Sequence, residues 1–119
     1  MEFLNKIMLR GVVGRSEIKS FNNMAVCNFS VVTEASAVDK ERNSSIDTTW
    51  FNVSAWEGTA IRDLYLIQKG LWVEVTGRVR IRKYTNQDNE ERTSMDILAR
   101  SVKILPREEG ENMQPQRDY

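Results

Sequence analysis

Residues 71–84, LWVEVTGRVRIRKY, alternate between apolar and polar side chains. Because successive side chains of a β-strand point to opposite faces, this run predicts a long strand with two different faces. The apolar face carries Val73, Val75, Gly77, Val79 and Ile81. The polar face carries Glu74, Thr76, Arg78, Arg80, Arg82 and Tyr84. An interior glycine such as Gly77 is typical of a bend or bulge at a barrel corner.

The rest of the chain predicts four further strands and one helix. Period-two patterns predict strands over residues 5–13, 24–33, 48–56 and 92–105, with a short additional piece at 16–21. Helical spacing predicts an α-helix over residues 58–68, from Ala60, Ile61, Leu64, Tyr65 and Ile67. Three strands, one helix and two strands is the element order of the OB-fold. We therefore predict an all-β OB-fold, a five-stranded Greek-key barrel with one α-helix between strands 3 and 4.

Two polar segments lie between or after these elements. Residues 34–47 are either a functional flap or a plain hairpin tip, since long structureless loops are uncommon in compact domains. Residues 106–119 begin with a proline and contain several acidic residues, which predicts a short disordered acidic tail. The folded domain is therefore expected to cover residues 1–105.

The net charge of zero conceals an uneven distribution. Residues 1–107 carry 16 Lys/Arg and 13 Asp/Glu, whereas residues 108–119 carry four acidic side chains and one arginine. A body of charge +3 is thus balanced by a tail of charge −3. A mildly basic body is compatible with a nucleic-acid partner, although the whole chain has no basic signature.

Composition excludes several classes of function. The chain has no histidine and a single cysteine, Cys27, so His-dependent catalysis, Cys/His zinc sites and an intrachain disulfide are ruled out. Carboxylates show no paired catalytic pattern, and no glycine-rich phosphate loop is present. We expect no enzyme, no cofactor and no metal. No apolar run approaches the roughly 20 residues of a membrane helix, so the expected compartment is the cytoplasm.

The polar strand face and the aromatic residues suggest a binding surface. Three arginines that share a strand face repel each other, so a partner of opposite charge is expected. Trp50 and Trp56 share one face of the third predicted strand with Asn52 and Ser54, which is unusual company for core tryptophans. Exposed aromatic side chains beside arginines can stack unpaired bases. The alternatives are a solvated arginine face and tryptophans that cover the helix or a subunit contact.

At these residues the sequence resembles the bacterial single-stranded DNA-binding protein (SSB) family. The resemblance covers residues 5–105 and is strongest in QKGLWVEVTGRVRIRKYTNQDNEER, residues 68–92. Further matching segments are NKIMLRGVVG, AVCNFSVVT and TTWFNVSAWEGTA. The resemblance implies an OB-fold that forms a homo-oligomer, usually a tetramer, and binds single-stranded DNA without sequence preference.

The resemblance also implies roles for individual residues. The stacking positions of the family match Trp50, Trp56 and Tyr84. Together with the arginine face, the basic positions give five cations for the phosphates: Lys69, Arg78, Arg80, Arg82 and Lys83. The chain departs from the family at Phe51, where a histidine tied to tetramer stability is common, and at its last residues, MQPQRDY. The family tail that recruits replication and repair proteins ends in several Asp residues, Pro and Phe, so those partners are doubtful here.

Two functional hypotheses follow from these patterns. The first is non-enzymatic binding and protection of single-stranded DNA in replication, recombination and repair. The second is a dimeric OB-fold assembly protein of the primosome type, with weaker nucleic-acid binding. A tetramer favours the first and a dimer the second.

Overall fold

The computed structural model describes residues 1–106, and these residues form a closed five-stranded barrel. The strands are β1 (Ile7–Phe21), β2 (Met24–Val38), β3 (Ser44–Trp56), β4 (Trp72–Thr85) and β5 (Glu91–Ile104). Their order around the barrel is β1-β2-β3-β5-β4, with parallel pairing only between β3 and β5. This arrangement confirms the predicted all-β fold and five-stranded barrel. Apart from Pro106, the predicted tail over residues 106–119 lies outside the described residues.

The first strand is one continuous element instead of the two predicted pieces. β1 pairs with β2 from Val12 to Phe21, and the register shifts between Val13 and Ser16, as in a β-bulge. The first part of β1 also pairs with β4, from Ile7 to Val12. The bulge thus lies where β1 passes from its pairing with β4 to its long pairing with β2. The turn that follows contains Asn22 and Asn23 at φ 52° and 65°, the left-handed region that asparagine tolerates.

The predicted polar loop over residues 34–47 is wrong, because most of it is a β-ribbon. β2 and β3 stay paired from Val26↔Trp56 to Val38↔Ser44, so only residues 39–43 form the turn. The Asp39 carboxylate accepts hydrogen bonds from the backbone N–H groups of Glu41 and Asn43, each at 2.9 Å. Hydrogen bonds from this turn lower the pKa of Asp39. The ribbon is ordered by backbone pairing and turn chemistry, although both of its faces are polar enough to suggest a loop.

The predicted α-helix over residues 58–68 is also wrong. Only Leu64–Leu66 is helical in this segment, as a single 3-10 turn. Asp63 is extended at φ −132° and caps that turn, and the Ala60 carbonyl accepts a hydrogen bond from the Val102 N–H of β5. The predicted helix is only 11 residues long and gains little stability from helix propagation. Its backbone groups form hydrogen bonds with other parts of the fold instead. Gly70, at φ 90°, reverses the chain before β4.

The barrel interior is filled by side chains from all five strands and from the segment after β3. Cys27 and Phe29 are buried, as are Ala60, Leu64 and Ile67 from the segment that was predicted to be helical. Phe51 packs against this core. The register between β4 and β5 shifts between Thr76 and Gly77, which confirms the predicted bulge. A Cβ at Gly77 would collide with the Leu98 carbonyl oxygen, so the close strand approach requires glycine.

Candidate nucleic-acid interface

The outer face of β3 carries the two tryptophans that the sequence singled out. Trp50 is 54% exposed, and its indole lies over Gly14 of β1, where a side chain would overlap the ring. Its directly paired residue in β2, Val32, is buried. The tryptophan therefore covers strand surface and not a helix, and it leaves about half of its area open to solvent.

Trp56 lies at the end of β3, on the same face as Trp50. Its ring meets Phe21 edge to face, with the ring centroids 6.4 Å apart and an interplanar angle of 66°. Edge-to-face pairs stabilise aromatic geometry, so Phe21 orients Trp56. Phe21 itself is 62% exposed and was not considered in the sequence interpretation. The exposed Phe21 ring and the partly exposed Trp56 ring form one aromatic surface at this end of the barrel.

Polar side chains fill the outer face between the two tryptophans. Ser54 donates a hydrogen bond to Asn28 of β2 at 2.9 Å. Asn52 accepts a hydrogen bond from the Arg15 guanidinium of β1 at 3.3 Å. Arg15 follows the Gly14 position, within the bulge of β1, which directs it towards β3. Its alternation with neighbouring residues was broken by the bulge, so a simple period-two interpretation missed it.

The long hairpin of β4 and β5 brings the predicted cations beside this polar face. The Arg82 guanidinium binds one oxygen of Asp96 through Nη2 at 2.7 Å and through Nε at 3.1 Å. Arg82 and Asp96 line a depression whose other side is formed by Asn52, Ser54 and Arg15. Asp96 thus holds Arg82 over the groove, and it also offsets part of the positive charge there.

Three adjoining depressions form one path along the outside of the barrel, which we call the outer groove. The first is lined by Gly14, Arg15, Ser16, Ile18, Tyr65, Ile67, Gln68 and Lys69. The second, described above, shares Arg15 with it. The third shares Arg82 and Asp96 with the second and adds Lys83, Tyr84 and Ser94. The outer groove therefore brings together the predicted residues Lys69, Arg82, Lys83 and Tyr84.

Arg78 and Arg80 are placed differently from their neighbours on β4. Arg78 is exposed in a separate depression that includes Lys6 and Arg100. The Arg80 side chain is half-buried, and its Nε has no hydrogen-bond partner among the residues that the structure describes. A buried donor without a partner is costly, so an incoming acceptor such as a phosphate oxygen would be favourable there. Ile81, predicted on the apolar face, is 65% exposed because this part of the hairpin extends beyond the core.

The outer groove carries side chains that are suited to contacting a nucleic acid. Within residues 1–106, no cluster of three His, Cys, Asp or Glu side chains could hold a metal ion. Burial raises the pKa of the Cys27 thiol, which is the opposite of what a reactive thiolate needs. No helix in the described part of the chain is long and apolar enough to cross a membrane. Exposed rings beside arginines and lysines can contact bases and phosphates at the same time.

Comparison with protein families decides where the chain belongs. The model of the single-strand binding protein family matches residues 4–105. The chain belongs to this family. Among curated members, the single-stranded DNA-binding protein of Neisseria meningitidis is 38% identical over 104 residues, and that of Xanthomonas campestris is 31% identical over the same length. Both alignments cover 86% of this chain and 60% of the relative, so the chain spans less than two thirds of these proteins.

Solved structures show the same SSB fold. A Plasmodium falciparum SSB in complex with ssDNA matches with a TM-score of 0.77 and 27% identity, covering 89% of this chain and 98% of that one. A deletion mutant of the Thermus aquaticus single-stranded DNA-binding protein matches with a TM-score of 0.72 at 16% identity. It covers 87% of this chain and 51% of the other, and at that identity it shows the fold alone.

Proposed function

We propose that the protein binds single-stranded DNA without sequence preference and protects it during replication, recombination and repair. The observation that carries this proposal is the outer groove, which has an exposed tyrosine beside cations at each end and includes Asn52 and Ser54 of the β3 face that carries Trp50 and Trp56. Family membership supports it, as does the named ssDNA ligand of the similar Plasmodium falciparum structure. The family match does not favour the alternative of a primosome-type assembly protein.

In this proposal, bases and phosphates are recognised by different side chains. Trp50, Trp56 and Tyr84 stack bases, which is tolerant of sequence because every base has a π-face. Lys69, Arg82 and Lys83 neutralise phosphates along the outer groove, with Arg78 and Arg80 further along β4. Because the outer groove is a surface depression with a polar middle part, an extended single strand of DNA can enter it from the side, and the barrel need not open.

Binding of this kind needs neither catalysis nor a cofactor, and we propose a non-enzymatic cytoplasmic protein. We further propose that the chain assembles with copies of itself, as a tetramer or a dimer. Two observations near β1 support assembly. Met8 is an apolar side chain on β1 that is 61% exposed, and a second copy could cover it. On the neighbouring β4, the buried Nε1 of Trp72 has no hydrogen-bond partner among the described residues. Light scattering during size-exclusion chromatography measures the mass. A stable monomer at micromolar concentration would contradict self-assembly.

Titration of tryptophan fluorescence with oligo-dT at two salt concentrations tests the proposed binding. We expect quenching, because Trp50 and Trp56 lie on the binding face, and a clearly weaker affinity at the higher salt through counterion release. The control is duplex DNA of the same length, which cannot present unstacked bases. Absence of quenching at low salt, or equal affinity for the duplex, would contradict the proposal.

A further inference from the structure

Tyr65 is the aromatic side chain that the predicted helix placed on an apolar face and that the structure exposes. It lies in the 3-10 turn Leu64–Leu66 and is 73% exposed. Leu64 and Ile67, on either side of it, are only 4% and 2% exposed. The segment is therefore anchored in the core by its neighbours, while the Tyr65 ring stands in solvent.

The position of this segment is fixed against the bulge of β1. The Ser16 hydroxyl donates a hydrogen bond to the Ile67 carbonyl at 2.8 Å, and the Gly70 N–H donates to the Val13 carbonyl at 2.8 Å. The Val13 N–H in turn donates to the Leu71 carbonyl at 2.9 Å. These three bonds tie residues 67–71 to the strand that carries Arg15.

The backbone of Tyr65 is also held locally. Its N–H donates to the Asp63 carboxylate at 2.9 Å, and its carbonyl accepts from the Gln68 side-chain amide at 3.1 Å. Side chains whose backbone is already ordered lose less entropy when they bind a ligand. Tyr65 is therefore an exposed ring on a rigid support, which is what a stacking platform requires.

The surroundings of Tyr65 match those of Tyr84 at the other end of the outer groove. Tyr65 lines the first depression together with Arg15 and Lys69. Tyr84 lines the third depression together with Arg82 and Lys83. Each end of the path thus has one tyrosine, one arginine and one lysine. Arg15 belongs to both the first and the second depression, so the first is continuous with the rest.

We propose that Tyr65 stacks a base of the bound single strand and that Arg15 contacts the adjacent backbone, so that the binding path extends to this end of the groove. This inference rests on the proposed function and adds a fourth stacking residue to it. The bound strand then passes over the bulge of β1 beside Trp50 and reaches the segment after β3, instead of ending on β3 and β4.

Photo-crosslinking tests the contact directly. Oligo-dT longer than roughly 16 nucleotides, the upper limit for one OB-fold, carries 5-iodouracil in place of some thymines. It is bound to the full chain and irradiated, and the crosslinked peptides are identified. We expect adducts on Tyr65 as well as on residues of the β3 and β4 face. A structural role for Tyr65 would give no adduct on this residue.

Affinity of the matched variants gives an independent measure. We expect Tyr65→Ala to weaken oligo-dT binding between about 5-fold and about 150-fold, and Tyr65→Phe to restore it, because stacking needs the ring and not the hydroxyl. Leu66→Ala is the control, since Leu66 is a neighbouring exposed apolar residue at 51% that does not line the first depression. Circular dichroism checks that each variant is folded.

The outcomes separate this inference from the proposed function. If the unaltered chain binds oligo-dT but Tyr65→Ala binds equally well and Tyr65 gives no adduct, only the inference is overturned. If Tyr65→Ala and Leu66→Ala lower the oligomer mass together, the segment is an interface between copies, and the inference is also overturned. If the unaltered chain does not bind oligo-dT, the proposed function itself fails.

Discussion

At the residue scale, Gly14 makes room for Trp50 on the candidate interface because it has no side chain. A Cβ at this position would overlap the Trp50 ring and approach the Ser30 hydroxyl, so the indole can lie flat on β1 only because residue 14 has none. The same Ser30 hydroxyl accepts a hydrogen bond from the Arg15 N–H at 3.0 Å. Gly14, which makes room for Trp50, is thus adjacent to the hydrogen bond that holds the backbone of Arg15.

We expect Gly14→Ala to displace the Trp50 ring, because the colliding atoms are less than 3 Å from an added Cβ. The variant should lose stability by about 1–3 kcal/mol from overpacking and should bind oligo-dT more weakly. Urea denaturation and fluorescence titration measure the two effects. Gly58→Ala is the control, since its φ of +78° makes alanine strained while nothing lies near it. Equal DNA affinities for both variants would show that the position of the Trp50 ring over Gly14 is unimportant for binding.

Tyr84 provides the corresponding test at the opposite end of the outer groove. Tyr84 is 51% exposed, so its removal should cost little folding free energy. We expect Tyr84→Ala to weaken oligo-dT binding by about one stacked base, ~1–3 kcal/mol, and Tyr84→Phe to keep most of the affinity. Thermal unfolding of both variants serves as the check on folding. An unchanged affinity of Tyr84→Ala would assign Tyr84 a structural role.

At the scale of elements, the ion pair between β1 and β4 couples stability to pH. Arg10 binds Glu74 at 2.6 Å from directly paired positions, and the Glu74 side chain is largely covered. The hydrogen bond from Arg10 lowers the pKa of Glu74 below its ordinary value of 4.5, with smaller help from the charges of Arg10 and Lys103. A carboxyl group whose pKa is lowered in the folded state stabilises that state when the pH is above the ordinary pKa. This contribution disappears as the pH falls through the folded-state pKa.

We expect Glu74→Gln to lower the melting temperature by a few degrees at neutral pH, because the ionised partner of Arg10 is lost. The difference from the unaltered chain should begin to shrink as the pH falls below 4.5 and should vanish below the lower folded-state pKa, where folded Glu74 itself becomes neutral. Calorimetry across this pH range makes the measurement. Glu90→Gln is the matched control, because Glu90 pairs with Arg92 only two residues further along the chain and both side chains are about half exposed. A difference that is independent of pH would contradict the role of the ionised carboxylate.

Strand positions could be predicted from the sequence, whereas the helix and the polar loop could not. Period-two patterns are direct consequences of a two-faced sheet, so β4 and the outer face of β3 follow from them. The spacing of Ala60, Leu64 and Ile67 correctly indicated burial but not the helical backbone, which depends on hydrogen bonds from distant strands. The ribbon over residues 34–38 and 44–48 has no buried face, so nothing in its pattern distinguished it from a loop.

The sequence proposed eight residues for the candidate site, and four of them line the outer groove, whereas Trp50, Trp56, Arg78 and Arg80 do not. The sequence indicated aromatic and basic side chains on β3 and β4, and the outer groove does contain Lys69, Arg82, Lys83 and Tyr84. Arg15 and Tyr65 were missed because each depends on an irregularity, a bulge in one case and a 3-10 turn in the other. Whether two depressions adjoin is a property of the closed barrel and cannot be derived from the alternation within one strand.

At the scale of the whole molecule, charge is divided between the barrel and residues 108–119. Residues 1–107 carry +3 and residues 108–119 carry −3, so these acidic residues can compete with DNA for the same cations. We expect removal of residues 108–119 to tighten oligo-dT binding a few-fold at low salt and to have little effect at high salt, where screening is strong. Replacing Glu108, Glu109 and Glu111 by Gln is the control and should act in the same direction. Identical salt dependence with and without these residues would contradict the competition.

The contact between β3 and β5 closes the barrel through very few residues. Parallel pairing there is limited to Val53↔Ile97 and Ser54↔Leu98, whereas β2 and β3 pair continuously from Val26↔Trp56 to Val38↔Ser44. Amide hydrogen exchange at this seam should therefore report local opening of lower free energy than exchange in the long hairpins. Ser54 of β3 and Arg82 of β4 line the same depression, so single-stranded DNA bound there would contact both strands. Slower amide exchange at Val53 and Ile97 in the presence of oligo-dT would show that the bound DNA stabilises the contact between β3 and β5.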